Sequence, residues 1–208
     1  FIALVWGYRK SGAEGETAVG VGYVATFAVL GFVSASILIL LIAFMTEDFS
    51  FMYVAENHPT DQSGLAWLYR VSGVWAGREG SLLFWEWLLA MFAAWVAYRR
   101  RSASDPVSHV ALATTNAIQM FFLVALFIDT NNPFKVTPEH WLTATGDLVQ
   151  GLQAAMNPLL QHWAMILHPP TLFIGYAGLA IPFAFAVAAI VTGDGSSHWV
   201  KLVDRITV

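Results

Sequence analysis

Val19-Gly-Val-Gly-Tyr23-Val-Ala-Thr-Phe-Ala-Val-Leu-Gly31-Phe-Val-Ser34-Ala35-Ser-Ile-Leu-Ile-Leu-Leu-Ile-Ala-Phe-Met45 crosses residues 19–45 without one charged side chain. A helix needs about 20 apolar residues to cross the hydrocarbon layer of a bilayer. This run is long enough, and only Ser, Thr and Gly interrupt it. Three further stretches qualify: residues 81–98 with one acid, Glu86; residues 110–128; and residues 171–191 with Pro182 at the middle. Inside lipid every backbone polar group needs an internal partner, so each stretch is read as a helix and not a strand.

The composition agrees. Of 208 residues, 57% are hydrophobic and 12% charged. A soluble domain carries about 25% charged residues. Lipid is the medium that hides the excess apolar surface. There is no cysteine, which excludes disulfides, thiolate metal sites and cysteine nucleophiles. A formal charge of −4 argues against a nucleic-acid surface. No Walker loop, Gly-x-Ser-x-Gly elbow or HExxH motif occurs. The opening, Phe1 to Trp6 followed by Tyr8-Arg9-Lys10, reads as the tail of a helix. The expected fold is therefore all-α: a polytopic membrane bundle of about four full spans plus a partial N-terminal helix, forming one domain over residues 1–208.

Lys and Arg concentrate in cytoplasmic loops. Arg9, Lys10, Arg99, Arg100, Arg101, Lys201 and Arg205 fall on one side if every span crosses. Only Arg70, Arg78 and Lys135 fall on the other. The connections at about 46–80 and 129–170 are thus expected outside a plasma or inner membrane. They carry Trp67, Trp75, Trp141 and Trp163 with His58, His140, His162 and His168. Such aromatic-rich loops suggest packed interfacial structure, including short interfacial helices. Residues 146–156 have helical spacing at Leu148, Val149, Leu152 and Ala155 and are expected to form one.

Chemistry concentrates in two stretches. The first is Asn157-Pro-Leu-Leu-Gln161 through His168-Pro169-Pro170 to Gly175-Tyr176. Prolines suit a first helical turn and push the preceding residue out of the helical region. This reading puts His168 at the outer boundary, just before the last span. Its imidazole could ligate iron, haem iron above all, or could be a capping histidine. The second is Trp75-Ala-Gly77-Arg78-Glu79-Gly80-Ser81-Leu-Leu-Phe-Trp85-Glu86-Trp87. Glu86 either snorkels from a shallow position or faces a cavity or partner. Pro182 reads as a structural kink. Gly175, Ala177, Gly178 and Ala180, like Gly31, Ser34 and Ala35, read as small-residue packing surfaces.

Taken together these motifs resemble the CcmF-type cytochrome c biogenesis proteins. Trp75 to Trp85 with Glu79-Gly80-Ser81-Leu82-Leu83 is similar to that family's Trp–His–Glu–Gly–Ser segment. Asn157-Pro158-Leu159-Leu160-Gln161, His168-Pro169-Pro170, Gly175-Tyr176, Tyr53-Val54-Ala55 and Asn132-Pro133-Phe134 fit in the same order. The resemblance covers most of residues 45–195.

It implies a role in system I cytochrome c maturation as part of a haem lyase. Haem, delivered transiently by a haem chaperone, would be positioned outside the cytoplasm for covalent attachment to apocytochrome c. His168 would be an axial iron ligand. Pro169, Pro170, Tyr176, Trp75, Glu79, Ser81 and Trp85 would shape the surface beside it. The family's tryptophan-rich motif, second external histidine and haem b histidines lie beyond Val208, so the chain resembles an N-terminal portion or a split subunit. Other maturation subunits or that C-terminal portion are implied partners. The family's histidine before Glu-Gly-Ser is Arg78 here, and a cation facing haem propionates is one replacement role. Competing readings are a non-catalytic membrane scaffold of a haem-handling complex, and a transporter fragment with Glu86 and Pro182 as pathway features.

Overall fold

The computed structural model describes residues 1–10, 12–60, 64–100, 105–196 and 198–207, with His198, Leu202 and residues 205–207 described by backbone alone, and eight α-helices form among them. They are α1 (Ile2–Arg9), α2 (Ala13–Thr46), α3 (Met52–Asn57), α4 (Ala66–Gly73), α5 (Arg78–Arg100), α6 (Pro106–Phe127), α7 (Trp163–Thr192) and α8 (His198–Thr207). Among the described residues there is no extended strand, only isolated bridges at Phe51–Val136 and Leu142–Leu148. Four helices, α2, α5, α6 and α7, are long and apolar enough to cross a membrane.

The long helices extend past the apolar runs. α2 has 34 residues, about 51 Å at 1.5 Å per residue, against an apolar layer of about 30 Å. Its first turn carries Glu14 and Glu16, which the helix dipole favours there. Phe32 and Val24 on α2 are exposed, as side chains that meet lipid tails are. Gly31 and Ala35 are exposed as well, and Ser34 between them is half-buried, so the small-residue surface expected there is largely open. On α7 that surface is narrower than expected: Ala177 is buried, with Gly178 close to Phe92, while Gly175 stands open. Helix α7 continues without interruption through Pro182.

Two compact units can be distinguished. One comprises residues 1–33, 86–121 and 174–208. Its α1 seats Leu4 in a core with Tyr23, Ala93, Ala97, Leu112 and Ala113. A second core joins Val96, Val107, Ala111, Ile181, Phe185, Ala188 and Val203, so the apolar side of α8 packs within this unit. The turn from α5 to α6 is closed by Asp105, whose carboxylate accepts from Ser108 N at 2.7 Å and Ser108 Oγ at 2.9 Å and from the Arg100 guanidinium. Asp105 is thus the N-cap of α6, with Pro106 at the first helical position. Arg101, on the same connection, lies outside the described residues.

The other unit comprises residues 34–85 and 122–173. It contains both long connections, tied together by backbone. Met52 N donates to Lys135 O at 2.8 Å, Thr137 N to Ser50 O at 2.9 Å and Met156 N to His58 O at 2.8 Å. The helix expected at 146–156 does not form. Gly146 and Gly151 both adopt positive φ, 87° and 86°, which glycine tolerates and a continuous helix does not. Between them Leu148 bridges to Leu142. The aromatic-rich connections therefore use α3, α4 and short 3-10 turns as their helical elements.

Candidate functional site

The α3 to α5 corner is organised by Tyr53. Its side chain is buried, and its hydroxyl donates to Gly73 O at 3.0 Å while accepting from Gly77 N at 2.9 Å. Burial pushes the phenol above its ordinary range, so it stays a neutral donor and acceptor. A Cβ on Gly80 would lie 2.0 Å from Val74 O and 2.3 Å from the Tyr53 hydroxyl. Glycine at 77 and 80 is therefore what lets the chain wrap this ring.

This corner opens on a cleft of about 230 Å³ lined by Tyr53, Glu56, Arg78, Glu79, Asp129 and Lys135, together with Met52, Thr130 and Asn132. Lys135 pairs with Asp129 at 2.5 Å. Arg78 donates to Glu79 at 3.1 Å and to Thr130 O at 2.6 Å. Burial raises the Glu56 carboxyl, Glu79 adds to that rise, and Lys135 opposes it. Three carboxylates thus face two cations, both cations already engaged. The sequence reading singled out Arg78 and Glu79 here but missed Glu56, Asp129 and Lys135, which lie far off in sequence. The glycines at 77 and 80, which make room for the Tyr53 ring, were the available signal of this corner.

Ser81, Trp75 and Trp85 take part in the packing of this corner. Ser81 Oγ donates to Trp75 O at 2.9 Å, closing the turn into α5. The Trp75 ring stacks on Phe84 at 5.1 Å, and Trp85 meets Phe122 at 4.9 Å and Phe173 at 5.8 Å. The Trp75 indole N–H is buried without a partner among the described residues.

His168 differs from its expected setting. It is not placed before the last span: α7 begins at Trp163, five residues earlier. The start is capped by His162, whose Nδ1 accepts from Ala164 N at 3.2 Å and whose carbonyl accepts from Met165 N at 2.8 Å. Upstream, Asn157 Oδ1 accepts from Leu159 N at 2.9 Å and holds the Pro158–Leu160 turn. Pro169 and Pro170 therefore sit inside α7. Neither has an N–H, so Met165 and Ile166 lose the bonds normally donated four residues on. Thr171 Oγ donates to His168 O at 2.8 Å. The His168 imidazole is exposed and makes no hydrogen bond or ring contact among the described residues. It is not the capping histidine; His162 fills that role.

The expected site residues thus have different settings. Glu79 faces the cleft, Trp75, Ser81 and Trp85 hold the corner, and His168 stands exposed with Pro169 and Pro170 half-buried behind it. Tyr176 is exposed on α7 within the other unit. Among the described residues no cluster of three His, Cys, Asp or Glu could hold a metal ion. Among the histidines whose side chains are described, His168 is the one whose ring makes no hydrogen bond or ring contact.

Residues 75–206 match the family model described as cytochrome C assembly protein. The chain belongs to that family. Among its relatives, the cytochrome c-type biogenesis protein CcmF of Haemophilus influenzae is 33% identical over 198 residues, covering 95% of this chain and 28% of that protein. The CcmF of Escherichia coli is 38% identical over 170 residues, 81% of this chain and 24% of that protein. A solved structure titled cytochrome c heme lyase CcmF superposes with a TM-score of 0.75 at 25% identity, covering 98% of this chain and 29% of that one. This family member spans about a quarter of the length of the curated relatives it matches.

Proposed function

We propose that this chain forms part of a cytochrome c haem lyase, with His168 as one axial ligand to the iron of the haem substrate. The exposed, unengaged imidazole carries the reading. The family membership and the names of the relatives support the reaction class. Haem supplies the vinyl groups that cysteine thiols of an apocytochrome c attack; the contribution of the protein is placement. His168 has a free ring on a helical backbone stiffened by two prolines, so taking a ligand costs side-chain rotamer freedom but little backbone freedom. Arg78 has donors left beyond those given to Glu79 and Thr130, enough to face a propionate.

The unit with residues 34–85 and 122–173 is the extracytoplasmic one in this reading. Arg9, Lys10, Arg99, Arg100 and Lys201 all belong to the other unit, as the cytoplasmic bias of basic residues requires. A haem chaperone, apocytochrome c and further maturation subunits are the partners this placement serves. Co-expression with the other maturation components, purification in detergent and haem spectroscopy test it. His168→Ala should lose bound haem and lower cytochrome c yield, while the helical content stays unchanged. Wild-type haem and yield in that variant would remove the assignment.

A further inference from the structure

Glu86 of α5 is 0% exposed and Gln119 of α6 is 2% exposed, both within the spanning helices. The Gln119 amide nitrogen donates to Glu86 Oε1 at 3.2 Å. The other two atoms of these planar groups, Glu86 Oε2 and Gln119 Oε1, are buried without any hydrogen-bond partner among the described residues. The pair as it stands presents two orphaned acceptors, with its one donor contact directed at the other carboxylate oxygen. Exchanging the amide O and N leaves the count short by one donor as well. A proton on the carboxyl balances the count from within the pair itself.

No charged group is bonded to this carboxyl. Within the same unit Tyr23 is paired with His109 at 3.3 Å, and Arg100 with Asp105. Arg100 lies fourteen residues along α5 and His109 ten residues before Gln119 on α6, about 21 Å and about 15 Å at the helical rise. A carboxylate with one amide donor and no counter-charge at membrane depth is among the costlier groups a bundle can hold.

We propose that Glu86 is a proton-binding site within the span, held as the neutral acid whose Oε2–H donates to Gln119 Oε1, so that two reciprocal hydrogen bonds join α5 to α6. The site takes a proton and disfavours metal cations, because among the described residues Gln119 supplies its only hydrogen-bonded second group. Removing the proton leaves an unbalanced charge between the helices, so the site releases it only when water or a counter-ion reaches the pair. This is the opposite of a snorkelling acid.

Infrared spectroscopy of the protein in lipid nanodiscs at neutral pH reads the site. A protonated-carboxyl carbonyl band should appear, move with ¹³C-glutamate labelling, vanish in Glu86→Gln and shift to higher frequency in Gln119→Leu, where the acid loses its acceptor. Glu86→Gln should keep the wild-type melting temperature, since an amide restores both bonds. The absence of a labelled carboxylic-acid band in the wild type overturns the proposal, as does a band that survives Glu86→Gln. If that variant fails to accumulate, the Gln119→Leu spectrum decides: an unshifted band overturns the assignment and a shifted one supports it.

Discussion

Tyr53 shows how one side chain governs a corner. Its hydroxyl serves Gly73 O and Gly77 N at once. Tyr53→Phe removes both bonds and leaves buried backbone groups unmatched, which costs about 1–3 kcal/mol; chemical unfolding in detergent should show that loss with the helix content retained. Gly80→Ala is more severe, because the atom 2.0 Å from the new Cβ is backbone, Val74 O, which cannot move aside cheaply. That variant should fail to accumulate as a folded protein, measured by size-exclusion recovery. His168→Ala belongs at this scale too but behaves in the reverse way. Its ring is exposed and makes no hydrogen bond or ring contact among the described residues, so stability should be unchanged while haem retention falls roughly ten-fold or more.

The helices were legible in the sequence at their apolar centres and not at their ends. Hydropathy located the middles of α2, α5, α6 and α7, because the lipid requirement acts on long uncharged runs. The start of α7 was missed because its cap is His162, a residue type outside the usual capping set, and because Pro169-Pro170 reads as a first turn. The helix expected at 146–156 failed for a related reason: apolar spacing suggested it, but two glycines at positive φ turn the chain instead. The cap of α6 offers an element-scale test. Burial alone would raise the Asp105 carboxyl, but the Ser108 and Arg100 hydrogen bonds outweigh it and hold it below the usual carboxylate range. A depressed acid contributes stability above the unfolded-state value and loses it as pH falls through the folded one. Asp105→Ala should cost about 0.5–2 kcal/mol. Asp105→Asn should keep much of the cap while losing part of the acid limb, seen in melting temperature against pH.

At the scale of the molecule, the absence of cysteine makes topology directly testable. Single cysteines at Val136 and Leu159, both exposed, should react with a membrane-impermeant thiol reagent added from the extracytoplasmic side of intact cells. A cysteine at Arg99 should react only after the membrane is opened, and the converse pattern would invert the proposed sidedness. The sequence by itself determined the membrane class, the number of spans and the resemblance that family membership bears out, because those follow from uncharged length and from ordered motifs along one chain. Only the tertiary structure decided that Glu56, Asp129 and Lys135 join Arg78 and Glu79 in one cleft, that Trp85 packs on Phe122 and Phe173, and that Glu86 is sealed against Gln119. Each of those is a contact between residues distant in sequence, and no periodicity along a chain records which distant side chain fills the space opposite.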